Sequence, residues 1–276
     1  MKLGLLGNGY WGKILERNLP KLDGIYDPLY HEDKDLKKTL IECDHIFIAS
    51  PASTHFNLVK QALKNNCHVF CEKPLTLNLD QANSLFEIAE KSKLKLHVDW
   101  IFTHHPVIQE MIDLQKKSNL GRLRRVSMNR MNLGPFRNDT SAMWDLASHD
   151  MSIIVSLIED VISIKTSEFS SHNSNYPGTC NLLAEWSGGS AEINVSWDYP
   201  SKCRSQTFIY DNAIIFWDDF RGIFRINGKN LDHVSDIGKP LTRSINFYLE
   251  NDYKTINKRS LITKRVTSLL ERGVDA

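Results

Sequence analysis

An apolar run, Leu3-Gly4-Leu5-Leu6, stops at Gly7-Asn8-Gly9-Tyr10-Trp11-Gly12, and apolar residues then recur at helical spacing from Trp11 to Leu19 until Pro20. Strand, glycine-rich turn and helix in direct succession leave few folds open. GxGxxG alone is a weak pattern, but between a buried strand and a helix it has a mechanical meaning. Gly7 permits the tight turn, Gly9 lets a pyrophosphate approach the backbone, and Gly12 lets the helix lie close on the strand. The helix N-terminus then offers free N–H groups and partial positive charge to phosphates. Asn8, Tyr10 and Trp11 lie in the same turn and join the glycines as candidates for holding a dinucleotide.

The rest of the N-terminal third repeats the alternation. Gly24 to Asp27, His45 to Ala49, His68 to Cys71 and Leu94 to Val98 read as short strands. Between them, 31–42, 54–65 and a segment opened by Asn78 and Gln81 read as helices. Alternating strands and helices predict a parallel sheet covered on both faces. The pattern changes near residue 100. Residues 106–117 and 144–158 are helical in pattern. From about 161 strands follow one another, at 179–186, 190–198, 204–210, 213–218 and 223–226, and 241–272 looks helical and polar. The expected organisation is a Rossmann-type α/β domain over 1–100, shortened, and an α+β domain with a large, mostly antiparallel sheet over 101–276. Trp186, Trp197, Phe208, Phe216 and Trp217 tend to alternate with polar residues. That suits a sheet with one face on a core and the other against a second copy of the chain.

Composition narrows the function classes. The 276 residues carry 34 basic and 33 acidic side chains, a net charge of +1, so no basic surface for nucleic acid is expected. Arg122, Arg124 and Arg125 read as a solvated strand or turn. No stretch of about 18 apolar residues is present, so no membrane span is expected. No cleavable leader is seen at Met1, and the cytoplasm is the expected compartment. The five cysteines are irregularly spaced with no CxxC, which fits free thiols in a reducing compartment and not a zinc or disulfide framework.

Three further features carry chemistry. Asp27 ends the second strand, 15 residues after Gly12. An acid there accepts from the adenine-ribose hydroxyls and repels a 2′-phosphate, favouring NAD over NADP. The alternative is a simple Asp27-Pro28 turn. Glu72-Lys73-Pro74 closes the fourth strand, and a lysine at the carboxyl end of a parallel strand points into the crevice where such sheets bind ligands. A surface lysine is the alternative. Ser50 and Pro51 end the third strand, with His55 four residues beyond, either on the nicotinamide side or simply starting a helix. Asp145 and His149 stand four apart in Trp144-Asp145-Leu146-Ala147-Ser148-His149-Asp150, a spacing that shares a helix face. Asn132, Arg137 and Asn138 lie on the approach to that helix and are candidate sugar or phosphate contacts; loop polarity explains them equally. His104 and His105 either line a cleft or are structural, and His97, His172 and His233 read as structural.

Taken in order, GxGxxG, Glu-Lys-Pro about 60 residues on, and Asp-x-x-x-His on a later helix resemble the Gfo/Idh/MocA oxidoreductases. Gly9-Tyr10-Trp11-Gly12, Asn132-Leu133-Gly134-Pro135 and Trp144-Asp145-Leu146…His149-Asp150 resemble more narrowly the WlbA-type branch, whose members oxidise the 3-hydroxyl of UDP-linked N-acetylglucosaminuronic acid or its relatives, on the way to surface polysaccharide. The resemblance implies NAD as cofactor and Lys73 and His149 in the catalytic positions beside Asp145. Asp145 and His149 would then also contact the substrate, with Asn132, Arg137 and Asn138 on the approach as further candidates, and a homodimer or homotetramer packed through the C-terminal sheet matches what the family usually does. An imidazole titrates near neutral pH, which suits His149 as base. Lys73 would stabilise the developing charge on the reacting oxygen. An ammonium beside a cationic nicotinamide gives up its proton more readily, so Lys73 is the alternative base. One departure stands out: the stretch from Asp27 to Asp44 is too short for the usual helix, strand and helix, which implies a trimmed element in the cofactor domain. A dehydrogenase of a free sugar or polyol, a hydrolase using tightly held NAD, and a non-catalytic dinucleotide-binding protein are the competing readings.

Overall fold

In the computed structural model, residues 1–117, 120–171, 173–231 and 239–274 are described; His172 and His233 lie outside them. Leu3–Leu6 forms β1, every residue buried. It is followed by α1 (Tyr10–Asn18), β2 (Gly24–Tyr26), α2 (Asp33–Glu42), β3 (His45–Ile48), α3 (Ala52–Lys64), β4 (His68–Glu72), α4 (Leu79–Lys91) and β5 (Leu96–Asp99). The strands pair in parallel in the order β2-β1-β3-β4-β5. Continuous apolar strands such as Ile46-Phe47-Ile48 need cover on both faces, and the intervening helices supply it. In a doubly wound sheet of this order the chain reverses direction between β1 and β3, and ligands bind beyond the carboxyl ends of the strands at that point. Asn78 caps α4 by accepting the Gln81 N–H at 3.0 Å, as its spacing predicts. Only α2 joins β2 to β3, so β2 is an edge of this sheet, in keeping with the short stretch from Asp27 to Asp44.

The chain divides into two compact units, Met1–Trp100 with Leu241–Thr267, and Ile101–Pro240 with the residues from Ser268. The first unit thus takes in a segment that the sequence pattern leaves with 101–276. Its helices α7 (Pro240–Glu250), α8 (Tyr253–Lys258) and the start of α9 (Ser260–Val274) bring side chains the parallel sheet needs. Tyr248, fully buried, sets its ring edge-on to Phe47 and Phe70, each at 5.5 Å, and its hydroxyl lies 3.0 Å from His45 Nδ1. Burying a ring of this size stabilises by roughly 2–3 kcal/mol. Asn257 closes the exposed end of the ladder, accepting the Leu96 N–H and donating to the Leu94 carbonyl, both at 3.0 Å. A tail of mixed composition, with Tyr248 and Ile256 buried and Leu261 exposed, gives no composition signal of its allegiance.

In the second unit a 3-10 turn (Ile101–His104) and α5 (Pro106–Lys117) precede β6 (Leu123–Leu133). A π-helical turn (Met143–Ala147) runs into α6 (Ser148–Leu157). Strands β7 (Val161–Ser170), β8 (Pro177–Trp186), β9 (Gly189–Ser196), β10 (Asp198–Tyr210), β11 (Ile214–Asp218), β12 (Ile223–Ile226) and β13 (Lys229–Asn230) complete it. The eight strands lie in the order β13-β12-β11-β10-β6-β9-β8-β7, antiparallel except for β6 with β9. Trp186, Trp197, Phe208 and Trp217 are all buried on the core side, and Phe216 is half-buried on the other. The eleven-residue β6, central in this sheet, is not evident from sequence pattern. Its core-facing series is Val126, Met128, Arg130, so an arginine stands where alternation calls for an apolar residue. At the start of β6, Arg124 pairs with Asp211 at 2.6 Å and Arg125 with Glu192 at 2.8 Å. All five cysteines are free thiols, four of them buried. No helix among the described residues is long and apolar enough to cross a membrane.

Candidate active site

The glycine loop is built at the reversal point between β1 and β3. Gly7 has φ +90°, and a Cβ there would lie 2.7 Å from the Ser50 nitrogen and 2.8 Å from the Ala49 carbonyl. A side chain at Gly12 would meet the Gly7 carbonyl oxygen at 2.1 Å. Both positions are therefore closed by the protein's own backbone. Gly9 is different: it is the N-cap of α1, and a Cβ on it meets nothing within 4 Å. The one glycine assigned to ligand approach is the one that opens on empty space. Asn8 lies beside it, its Oδ1 buried and unbonded among the described residues. Tyr10 is exposed at the start of α1.

Asp27 is buried. Its Oδ2 accepts the Asn8 N–H at 2.7 Å and its Oδ1 the Leu29 N–H at 2.9 Å. It thus ties the glycine loop to the end of β2. A carboxylate has about four acceptor positions, so two remain after these bonds. Ser50 Oγ lies 2.6 Å from Thr54 Oγ1 just past β3. His55, fully buried, places Nε2 2.9 Å from the Ser50 carbonyl and Nδ1 2.7 Å from that of Pro74. The imidazole therefore joins the Ser50-Pro51 turn to the Lys73-Pro74 turn.

Glu72 ends β4 beside Asp99 at the end of β5, the two residues being register partners. Both are buried. Burial, then the neighbouring Asp99 charge, drives the Glu72 carboxyl well above the usual range, against the pull of the Trp11 hydrogen bond and of Lys73. The Trp11 indole N–H donates to Glu72 Oε1, linking the glycine loop to the Glu-Lys-Pro turn. Burial likewise raises Asp99 to about 7, with Ser244 and Arg259 opposing. Ser244 donates to Asp99 Oδ1 at 2.6 Å, so the 3.0 Å contact with His97 Nε2 is accepted by the hydroxyl. Burial holds His97 well below its usual pKa, that is, as a neutral donor. Asp99 and Ser244 are missed by sequence reasoning. The available signal for Asp99 is its place at the carboxyl end of a parallel strand next to Glu72.

The second unit holds the other candidates. Asp145 lies on the π-turn and His149 in the first turn of α6. Turns of this kind recur at functional sites. Asp145 Oδ2 accepts from the Trp197 indole at 3.3 Å and pairs with Arg137 Nε at 3.7 Å. Arg137 and Asp145, predicted separately, are thus neighbours. Asn132 turns back to donate to the Gly134 carbonyl, and Asn138 is exposed in the loop that follows. His149 meets the Phe102 ring edge-on at 5.1 Å, with 80° between planes. His104 is buried; the His105 ring lies 4.6 Å from that of Trp217, tilted by 47°, and 3.6 Å from Asp219. Among the described residues no three His, Cys, Asp or Glu side chains form a group able to hold a metal ion.

Residues 14–100 match the model of the Gfo/Idh/MocA family, described as an oxidoreductase family with an NAD-binding Rossmann fold. The UDP-N-acetylglucosamine 3-dehydrogenase of Acidithiobacillus ferrooxidans is 26% identical over 175 residues, 57% of this chain and 54% of that protein. A dTDP-3,4-didehydro-2,6-dideoxy-alpha-D-glucose 3-reductase of Actinomadura kijaniata is 32% identical over 83 residues, 30% of this chain and 25% of the relative. The matches thus span about half, or less, of the length of these curated relatives. In fold the likeness is end to end. The crystal structure of the WlbA dehydrogenase from Chromobacterium violaceum, in complex with NADH and UDP-GlcNAcA, superposes with a TM-score of 0.83 at 17% identity over 100% of this chain and 94% of that one. The A. ferrooxidans enzyme superposes with the same TM-score at 19% identity over 100% and 96%. The family match thus covers the parallel-sheet region from residue 14 to residue 100, and it is this region that is similar to the Gfo/Idh/MocA oxidoreductases.

Proposed function

We propose that this chain is an NAD-dependent oxidoreductase that oxidises a hydroxyl, at C3, of a UDP-linked N-acetyl sugar or its uronic acid, in the making of surface polysaccharide in the cytoplasm. The observation that carries the cofactor half is the glycine loop. Gly7 and Gly12 are filled by backbone while Gly9 opens on free space at the N-terminus of α1. That is the cradle a pyrophosphate requires. Gly7, Asn8, Gly9, Tyr10, Trp11 and Gly12 would hold the phosphates, Asp27 the adenine ribose, and Ser50, Pro51, His55, Glu72 and Lys73 the nicotinamide end. NAD, when bound, supplies the hydride acceptor.

The chain's own residues supply position and proton traffic. In this reading His149 takes the hydroxyl proton and Lys73 stabilises the charge that develops on the oxygen. Asp145 orients the substrate, with Arg137 beside it for an anionic group. Asn132 and Asn138 line the approach. The substrate half is supported by two relatives, a UDP-N-acetylglucosamine 3-dehydrogenase and a dTDP-sugar 3-reductase. A homo-oligomer through the outer face of the eight-stranded sheet belongs to the same proposal, and size-exclusion chromatography with light scattering checks it.

Titration of the purified chain with NAD and NADP, followed by turnover with UDP-N-acetylglucosamine, its uronic acid, free hexoses and inositols, tests the reading. Selective NAD binding, turnover of a UDP-sugar alone, and loss of turnover in Lys73→Ala and His149→Ala, with NAD binding retained in His149→Ala, are expected. Binding of neither dinucleotide overturns it, and turnover of a free polyol alone overturns the substrate assignment.

A further inference from the structure

A buried ion pair sits directly behind His149. Arg130 on β6 has 2% of its side chain exposed and Asp150 on α6 none. The guanidinium donates to both carboxylate oxygens, Nε to Oδ2 at 3.0 Å and Nη2 to Oδ1 at 2.7 Å. The central carbon of the same guanidinium lies over the Phe102 ring, 4.2 Å from its centroid. Phe102 in turn is the ring that meets the His149 imidazole edge-on. Two connections therefore converge on one side chain: Arg130 to Asp150 and through one peptide to His149, and Arg130 to Phe102 to the imidazole. Arg204, 5.9 Å from the same ring and paired with Asp219, and His105, against Asp219 and Trp217, are further charged or titratable groups in this region.

This arrangement is a poor choice for stability. Two charges taken fully out of water cost several kcal/mol each, and apolar residues of like volume at such positions are commonly neutral or better. Arg130 also interrupts the apolar series of a central strand. What the pair does offer is direction, because a bidentate fork fixes both partners in one plane. The need for direction is local. The helical hydrogen-bond ladder changes from π to α at Ser148, one residue before His149. Junctions of that kind are uncommon, can bend a helix, and recur at functional sites. Asp150, in the first turn of α6, is tied to β6 by the Arg130 fork.

We propose that Arg130, Asp150 and Phe102 form a positioning device that fixes the orientation of the His149 imidazole, with no contact to substrate of their own. The proposal rests on the reading of His149 as the base, and the test separates the two. The Arg130→Met/Asp150→Leu double variant leaves no unpaired charge, and Arg130→Lys keeps the charge but loses the fork. In 13C-labelled protein the His149 imidazole C–H resonances, shifted by the Phe102 ring, report the orientation without any substrate. Both variants are expected to bind NAD as the wild type does. Both are expected to move the His149 resonances toward free-histidine positions and to lower kcat by about tenfold to a hundredfold with KM within threefold, the scale of a small misplacement. A folded variant of either kind with unchanged His149 resonances and kcat overturns the proposal. If the double variant does not fold, Arg130→Lys alone decides. If the wild type oxidises no sugar, the function assignment fails while the resonances still decide the positioning.

Discussion

The carboxyl pair at the ends of β4 and β5 ties stability to pH in a direction opposite to that of an ordinary surface carboxylate, and Asp99→Asn exposes it. Asp99 is 1% exposed, accepts one hydrogen bond, from Ser244, and its Oδ2 has no partner among the described residues. Burial lifts it to about 7. An acid whose folded pKa lies above its unfolded value holds its proton more tightly in the folded state. Folding stability therefore falls as pH rises from the unfolded value through the folded one. About three units at 1.36 kcal/mol each make roughly 4 kcal/mol, a large share of a typical stability. Buried His45, at about 4, and His68 and His97, also held low by burial, work the other way, adding stability as pH rises to their ordinary values near 6.5. The wild-type profile below that pH is accordingly a mixture, and the difference between chains isolates the acid. An asparagine side chain of the same shape carries no titration. It also removes the charge that helps to raise Glu72, which acts in the same sense. Urea unfolding at a series of pH values, read as the difference in midpoint at fixed slope, is the assay. Relative to wild type, Asp99→Asn is expected to gain up to roughly 4 kcal/mol between about pH 4 and pH 8, most of it by pH 7. A difference that stays flat across that range refutes the reasoning, because the carboxyl would then have no proton-linked cost of burial.

Three further outcomes follow from the glycine loop and the second unit. Gly12→Ala forces a methyl against the Gly7 carbonyl, which as backbone cannot yield, so a loss of about 1–3 kcal/mol and weaker NAD binding are expected. Gly9→Ala meets no protein atom and should leave the melting temperature unchanged while weakening NAD. Equal NAD affinity in Gly9→Ala and wild type, by calorimetry, would remove the pyrophosphate from this loop. Arg137→Ala should leave stability within about 0.5 kcal/mol, since a half-exposed pair contributes little. Steady-state kinetics should show a raised KM for a uronic acid substrate and a smaller change for its neutral counterpart. Equal effects on both would place Arg137 away from the anionic group.

The parallel sheet, the glycine loop, the change near residue 100 and the antiparallel second half are legible in the chain because each follows from hydrophobic period and turn chemistry, which are local properties. Arg137 beside Asp145, and Trp11 on Glu72, are consequences of folding that no spacing announces, although all four residues stand out in the sequence. The features that pattern reading misses share one cause. β6 escapes because Arg130 occupies a core-facing position, and Asp99 falls just beyond a strand expected to end at Val98. Leu241–Thr267 looks polar although Tyr248 and Asn257 finish the first unit's sheet. In each case a polar or ionisable group is buried where the period alone predicts an apolar one or a surface. Such a group survives burial only when another part of the chain supplies its partner: Asp150 for Arg130, Ser244 for Asp99, His45 for the Tyr248 hydroxyl. The partner lies 20 residues away in the first case, 145 in the second and 203 in the third. A window of local sequence therefore sees the expense of the buried group and not its compensation, and it reads the residue as exposed. Where a period fails at a single charged or hydroxyl residue inside an otherwise apolar element, the sounder inference is a buried pair with a distant partner, and in this chain such a pair lies behind His149.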